Sequence, residues 1–282
     1  MSPPQAQARE RVVPLRPERP LVAIATDPPA PRAVPDVLIV NAGVIHRIGP
    51  HRLHVRLARR LAEAGHRTLR MDLSGIGDSG PIPDRIDFRT SAVADLRAAL
   101  DTVTAAAHPT AGAIVFGLCS GADNALAAAA ADPRIVGLVL VDPPAYATPQ
   151  SRRRALRARL GRPGFWATLP ARIARRLRRA RPAGDDNVEG EGSRQPPPQA
   201  EFGRQLRALA DRGVRVLAIY TAAQGVRFNH ADQLFEAFPD LRGRIDVRLF
   251  DAANHTFTPL AQQAALIDTV ADWCLSRFPD GG

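Results

Sequence analysis

The sequence predicts an α/β protein: a mainly parallel central sheet of about eight strands, covered by helices on both faces and interrupted by one helical insertion. Three observations carry this. Short runs rich in Val, Ile and Leu alternate with longer stretches whose apolar residues recur at helical spacing. Residues 135–141 and 214–220 are nearly continuous apolar runs, as strands buried on both faces are. Gly117 and Gly121 bracket Cys119 where an apolar strand turns sharply into an Ala-rich helix.

The 282 residues, 45% hydrophobic and 23% charged, can bury a sizeable core, which excludes a wholly disordered chain. Residues 1–36 mix Pro, Arg and two short apolar runs, 12–15 and 21–24, and read as an arm or a pair of edge strands. The core spans 37–146 and 201–282. Its strands are expected at 37–40, 68–71, 113–116, 135–141, 214–220 and 245–250. Its helices are expected at 52–64, 91–107, 122–131, 202–212, 232–238 and 259–278. Residues 147–200 break the alternation with a basic helical half and then, at 181–200, a run dense in Pro, Gly and acidic residues. The second half reads as a disordered return, and the whole as a cap over the C-terminal ends of the strands.

Charge narrows the partners. The net charge is +10 and every basic side chain is Arg, a bias spread over the chain that does not by itself specify nucleic acid. No nucleic-acid-binding fold is recognisable either, so no such partner is expected. The arginines from Arg152 to Arg181 have no acidic residue among them and interleave with Leu156, Leu160, Phe165, Trp166 and Leu169. This pattern allows peripheral contact of the cap with a membrane surface or an acidic carrier, beside the plainer reading of a solvated face. No stretch reaches the ~18 apolar residues of a membrane span, and the first residues lack a signal-peptide core. Cys119 and Cys274 are too few for a disulfide framework or a zinc site, so a cytoplasmic, thiol-reducing setting is expected. No G-x-G-x-x-G follows the first core strand and no Walker motif occurs. Oligomeric state is not legible.

Chemistry concentrates at Gly117-Leu118-Cys119-Ser120-Gly121. A nucleophile elbow needs small residues two positions either side of the reacting one, and only Cys119 satisfies this. Ser120 as nucleophile would put Leu118 in a position too tight for it. A thiol at a helix N-terminus meets the positive end of the helix dipole, which favours thiolate. The Ser120 N–H would face a developing oxyanion. The plainer reading is an inert cysteine in an ordinary βα turn.

The order and spacing of these stretches resemble the α/β-hydrolase fold, in its serine-aminopeptidase and lysophospholipase-like branch. Asn41-Ala42-Gly43-Val44-Ile45-His46-Arg47 resembles that family's oxyanion loop, with the N–H of Gly43 or Val44 as second donor. Residues 70–79, from Arg70-Met71-Asp72 to Gly77-Asp78-Ser79, resemble its turn after the next strand. Asp251-Ala252-Ala253-Asn254-His255-Thr256-Phe257 resembles the loop that presents the catalytic histidine, which makes His255 the candidate base. The stretch 157–169 with Phe165-Trp166, the candidate substrate-binding pair, resembles hydrolases of exopolysaccharide or exosortase systems, some of which carry Cys at the elbow.

The pattern departs at the acid. Tyr220 is followed by Thr221-Ala222-Ala223-Gln224-Gly225-Val226, with no carboxylate. Asp142 and Asp232 are the two candidates, each with a structural reading as turn residue or helix cap. Gln224 or Asn254 are further groups that could orient His255. His46 could line the oxyanion loop and His230 could approach the site, while His51, His54, His66 and His108 read as surface or helix residues.

The resemblance implies a hydrolase acting on an ester or thioester through an acyl-enzyme, with no cofactor or metal. A small-molecule acyl substrate is expected, with a medium or long chain under the cap and an anionic or carrier-linked moiety as an option. The alternatives are an acyltransferase on the same fold or a catalytically silent binding or scaffold protein.

Overall fold

The computed structural model describes residues 8–15, 20–105, 112–161 and 195–279. Among them eight strands form one sheet in the order β1-β2-β4-β3-β5-β6-β7-β8. The strands are β1 (Arg9–Leu15), β2 (Leu21–Asp27), β3 (Asp36–Ile39), β4 (Thr68–Met71), β5 (Ala113–Leu118), β6 (Ile135–Val141), β7 (Arg215–Thr221) and β8 (Asp246–Phe250). The run from β4 through β3 to β8 is parallel, and β1 and β2 form an antiparallel pair beside β4. Of the two readings of the N-terminal segment, edge strands is therefore the one found.

Seven helices of α type are described: α1 (Leu53–Glu63), α2 (Phe88–Ala105), α3 (Ser120–Ala131), α4 (Pro149–Leu160), α5 (Gln199–Asp211), α6 (Gln233–Ala237) and α7 (Leu260–Arg277). The period-2 alternation of side chains splits the core in two. On one face Val37, Ile39, Ile114, Phe116 and Ile219 pack under Leu53, Leu57 and Leu61 of α1 and Leu266 and Val270 of α7. On the other, Leu38, Val115, Leu138, Leu140 and Ala218 pack under Leu96 and Leu100 of α2, the alanines of α3, and Phe202, Leu206 and Leu209 of α5. The spacing of Leu53, Leu57 and Leu61 is the i, i+4, i+8 stripe of a helix with one buried side.

Strand order places the site. β3 and β5 are neighbours although β4 lies between them in sequence, so the chain diverges there and the loops after both strands open at one crevice. One loop holds Asn41 to Arg47, the other is the turn at Cys119.

The segment 147–200 is described at its two ends. α4 is started by Thr148, whose hydroxyl accepts the Ser151 N–H at 3.0 Å while Ser151 returns the bond to the Thr148 N–H, with Pro149 in the first turn. Arg154 anchors α4 to the Glu236 carboxylate of α6 at 2.5 Å. Residues 195–200 belong to the return expected to be disordered, yet Pro197 O accepts the Tyr146 hydroxyl at 2.6 Å and Gln199 opens α5. Phe165 and Trp166 lie outside the described residues, as do most of the cap arginines.

Of the histidines read as surface or helix residues, His54 is a helix residue of α1, and both it and His66, before β4, are fully buried. His66 Nδ1 lies 2.8 Å from Pro35 O. His54 packs edge-on against Phe116, and burial pushes its pKa down to about 3, so it stays neutral.

Candidate active site

β5 ends at Leu118, and the chain turns into α3 at Ser120 through a single residue, Cys119, with φ 59° and ψ −123°. A non-glycine residue at such a positive φ is strained, and a well-packed surround is needed to hold it. That surround is formed by the glycine pair. A Cβ on Gly117 would sit 2.2 Å from Gly121 O, and one on Gly121 would sit 2.4 Å from Asn41 O. Helix α3 can therefore approach both its own strand and the loop after β3, which is what brings that loop to the elbow.

His255 lies in the loop between β8 and α7, half-buried, with Nδ1 2.6 Å from Asp142 Oδ2. Asp142 follows β6, is fully buried and has a positive φ of 49°. Its carboxylate accepts the Thr221 N–H and the Thr221 hydroxyl, each at 2.8 Å, so the end of β7 fixes its direction. With Nδ1 committed to Asp142, the imidazole has Nε2 left for Cys119, which is within hydrogen-bonding reach. The bond to Asp142 first, and then the bond to Cys119, raise the His255 pKa to about 10. The imidazole is thus an imidazolium at neutral pH, held between a carboxylate and a thiol.

Asp142 is the carboxylate found at His255. Asp232, the alternative, is exposed at the start of α6 and is ion-paired with Arg242 at 2.9 Å. Asn254 bonds Thr258 through both amide atoms, which removes it as a partner for His255. His230 accepts the Asp232 N–H at 3.1 Å and does not line the crevice at Cys119.

The loop after β3 carries one arrangement that was not foreseen. The Gly43 N–H donates to Ser120 Oγ at 3.0 Å, so the hydroxyl beside the elbow occupies this donor. Val44, the other candidate donor, is highly exposed. Below the loop, buried Asp72 accepts the Asn41 amide at 3.0 Å, the Arg47 N–H at 2.6 Å and the Arg47 guanidinium. His46, Asp72 and Asp78 bring one ligand atom each within 4.8 Å of one another, but Arg47 lies among them and bonds all three. The positive charge at that cluster is supplied by the protein itself.

A cavity of about 270 Å³ opens over Cys119 and His255, walled by residues 143–145, Pro196 and the loop after β7. The model of the family described as serine aminopeptidase, S33, matches residues 40–224. The chain belongs to that family. Solved α/β-hydrolase structures extend the likeness over nearly its whole length. An α/β serine hydrolase without a lid from Xanthomonas campestris is 19% identical with a TM-score of 0.56, over 98% of this chain and 97% of its own. The esterase domain of a Rhodothermus marinus protein is 17% identical with a TM-score of 0.58, over 96% and 99%. A Pyrococcus furiosus esterase is 14% identical with a TM-score of 0.62, over 98% and 92%. At these identities the likeness is one of fold. No curated protein sequence matches the chain.

In this S33-family α/β-hydrolase Cys119 stands at the turn between β5 and α3, and the carboxylate partner of His255 follows β6 rather than β7. No helix among the described residues is long and apolar enough to cross a membrane.

Proposed function

We propose that this α/β-hydrolase cleaves an ester or thioester through a Cys119 acyl-enzyme. The observation that carries the reading is the chain of contacts Cys119, His255, Asp142, set at a strained elbow beneath an open cavity.

An imidazolium beside the thiol favours the thiolate, the nucleophilic form. Sγ attacks the substrate carbonyl carbon, and the carbonyl π pair moves to oxygen. The Ser120 N–H, in the first turn of α3, and the Gly43 N–H would bind that oxyanion. At Gly43 the oxyanion displaces Ser120 Oγ, which holds the donor in the resting state. Collapse of the intermediate breaks the bond to the leaving group, which takes the Nε2 proton of His255. Neutral His255 then removes a proton from water, the hydroxide attacks the thioester, and the carboxylic acid leaves as the Cys119–His255 pair re-forms. Asp142 keeps the imidazole oriented and stabilises its charge throughout.

The scaffold alternative gained its weight from the missing acid after Tyr220, and a buried carboxylate at 2.6 Å from His255 removes that ground. The cap's role over the substrate belongs to the same proposal, supported by the anchoring of α4 and Pro196 beside the cavity. The test is hydrolysis of a short-chain 4-nitrophenyl ester and its thioester counterpart by the wild type, Cys119→Ala and His255→Ala. Turnover that requires both residues is expected, and turnover unchanged in Cys119→Ala would exclude the mechanism.

A further inference from the structure

The loop after β7, where the acid was expected, presents Gln224 and Arg227 to the cavity instead. The other walls are Pro143, Pro144, Ala145, Pro196 and Ala223, small and largely apolar. Arg227 is the one permanently charged side chain among these lining residues. Among the described residues no carboxylate pairs with it, whereas the nearby Arg154 is bound to Glu236 and Arg242 to Asp232.

The loop is also built to hold that position. Phe228 is buried and stacks on Tyr220 at 3.5 Å between ring centres. Buried Gln233 donates to Arg227 O at 2.6 Å and to Tyr146 O at 3.0 Å, and accepts the Asn229 N–H at 2.8 Å. The backbone of Arg227 is therefore pinned to the same post-β6 segment that walls the cavity, while its guanidinium is left for a ligand. An exposed guanidinium with no carboxylate partner among the described residues, at the wall of an open cavity over the reactive pair, suits recognition of a carboxylate or phosphate.

We infer that Arg227 is a specificity residue: it binds an anionic group of the substrate a few bonds from the scissile carbonyl, so that anionic acyl compounds are selected over neutral ones of equal length. This rests on the acyl-enzyme reading for its substrate, but the anion site itself can be tested without turnover. Iodoacetate and iodoacetamide have the same length and differ in charge. Each is reacted with the full chain, and single alkylation at Cys119 is followed by intact mass. Cys274, fully buried, leaves Cys119 as the accessible thiol.

The expected result is an iodoacetate-to-iodoacetamide rate ratio that falls about tenfold in Arg227→Gln and recovers in Arg227→Lys. Succinate and inorganic phosphate, added as protectants, show which anion the site prefers by which one slows alkylation of the wild type but not of Arg227→Gln. An unchanged ratio in Arg227→Gln overturns the inference even if an acyl-enzyme forms on Cys119. A ratio that depends on Arg227 supports the anion site even if no acyl-enzyme is ever seen, in which case it is the hydrolase reading that fails. Absence of alkylation by both reagents overturns the inference too, because the cavity would then not admit small molecules.

Discussion

Asp142 and His255 are 113 positions apart in the chain and 2.6 Å apart in the fold, and the carboxylate is held in that contact by Thr221 at the end of the neighbouring strand. Three parallel strands therefore cooperate in one proton-holding unit: β6 delivers the acid, β7 aims it and the loop after β8 supplies the imidazole. The consequence is a histidine charged at neutral pH. In the proposed mechanism this charged imidazole first gives its proton to the leaving group and only then serves as base towards water.

Asp142→Asn keeps the shape and removes the first cause of the raised imidazole pKa. The His255 value is expected to fall from about 10 towards the ordinary range, read from the pH dependence of its imidazole NMR signals. Acyl-enzyme formation is expected to slow roughly 10²-fold, less than the roughly 10⁴-fold loss where a serine depends on the same carboxylate. A cysteine needs less help because its thiolate forms without a base of full strength.

Stability is expected to fall on both sides of neutrality. His255 has its pKa raised from 6.5 to about 10, so the bonds of its charged form contribute fully below pH 6.5 and are lost as pH rises through about 10. His54 has its pKa lowered from 6.5 to about 3, so burying it neutral costs nothing above pH 6.5 and opposes the fold as pH falls towards 3. Thermal unfolding across pH checks this: His54→Phe should flatten the acid limb alone, and His255→Gln the alkaline limb alone.

Ser120→Ala removes the hydroxyl that holds the Gly43 N–H. A loss of about 1 kcal/mol is expected from denaturant unfolding, the usual worth of one such bond. The acyl adduct on Cys119 should still form. A variant that folds but accepts no acyl group would return the nucleophile's role to Ser120.

Arg47→Met deletes the cation inside the cluster of Asp72, Asp78 and His46. Asp72 is fully buried and ties Asn41, Arg47 and the turn at Asp78 together. Leaving it without its counter-charge is expected to cost about 3–5 kcal/mol in urea unfolding. If the loop after β3 is positioned through this contact, acylation slows further than the stability loss explains, measured under conditions where the variant is still folded.

Much of this was legible in the sequence because the signals are local. The continuous apolar run that became β6 and the Leu53, Leu57, Leu61 stripe of α1 declare themselves by period. Cys119 was legible because the glycines around it face backbone atoms at distances that no Cβ tolerates. The choice between Asp142 and Asp232 was not, since it depends on which loop ends beside His255 across β7, a matter of register between distant strands. Thr221 could have given a hint: a hydroxyl residue where an acid was expected is a natural partner for a carboxylate on the next strand. Arg227 and Ser120 were missed as contacts because nothing nearby in sequence marks what they face. The reading of His54 and His66 as surface or helix residues left their burial open, because arginines flank both in sequence while each packs inward.

The central claim is that Cys119 carries the acyl group. Brief incubation with a short activated acyl ester, followed by intact mass and peptide mapping, tests it directly. An added acyl mass on Cys119, absent in Cys119→Ala and released by hydroxylamine, is the predicted result. An adduct mapped to Ser120, or turnover of the ester with no Cys119 adduct under any quench, would contradict it.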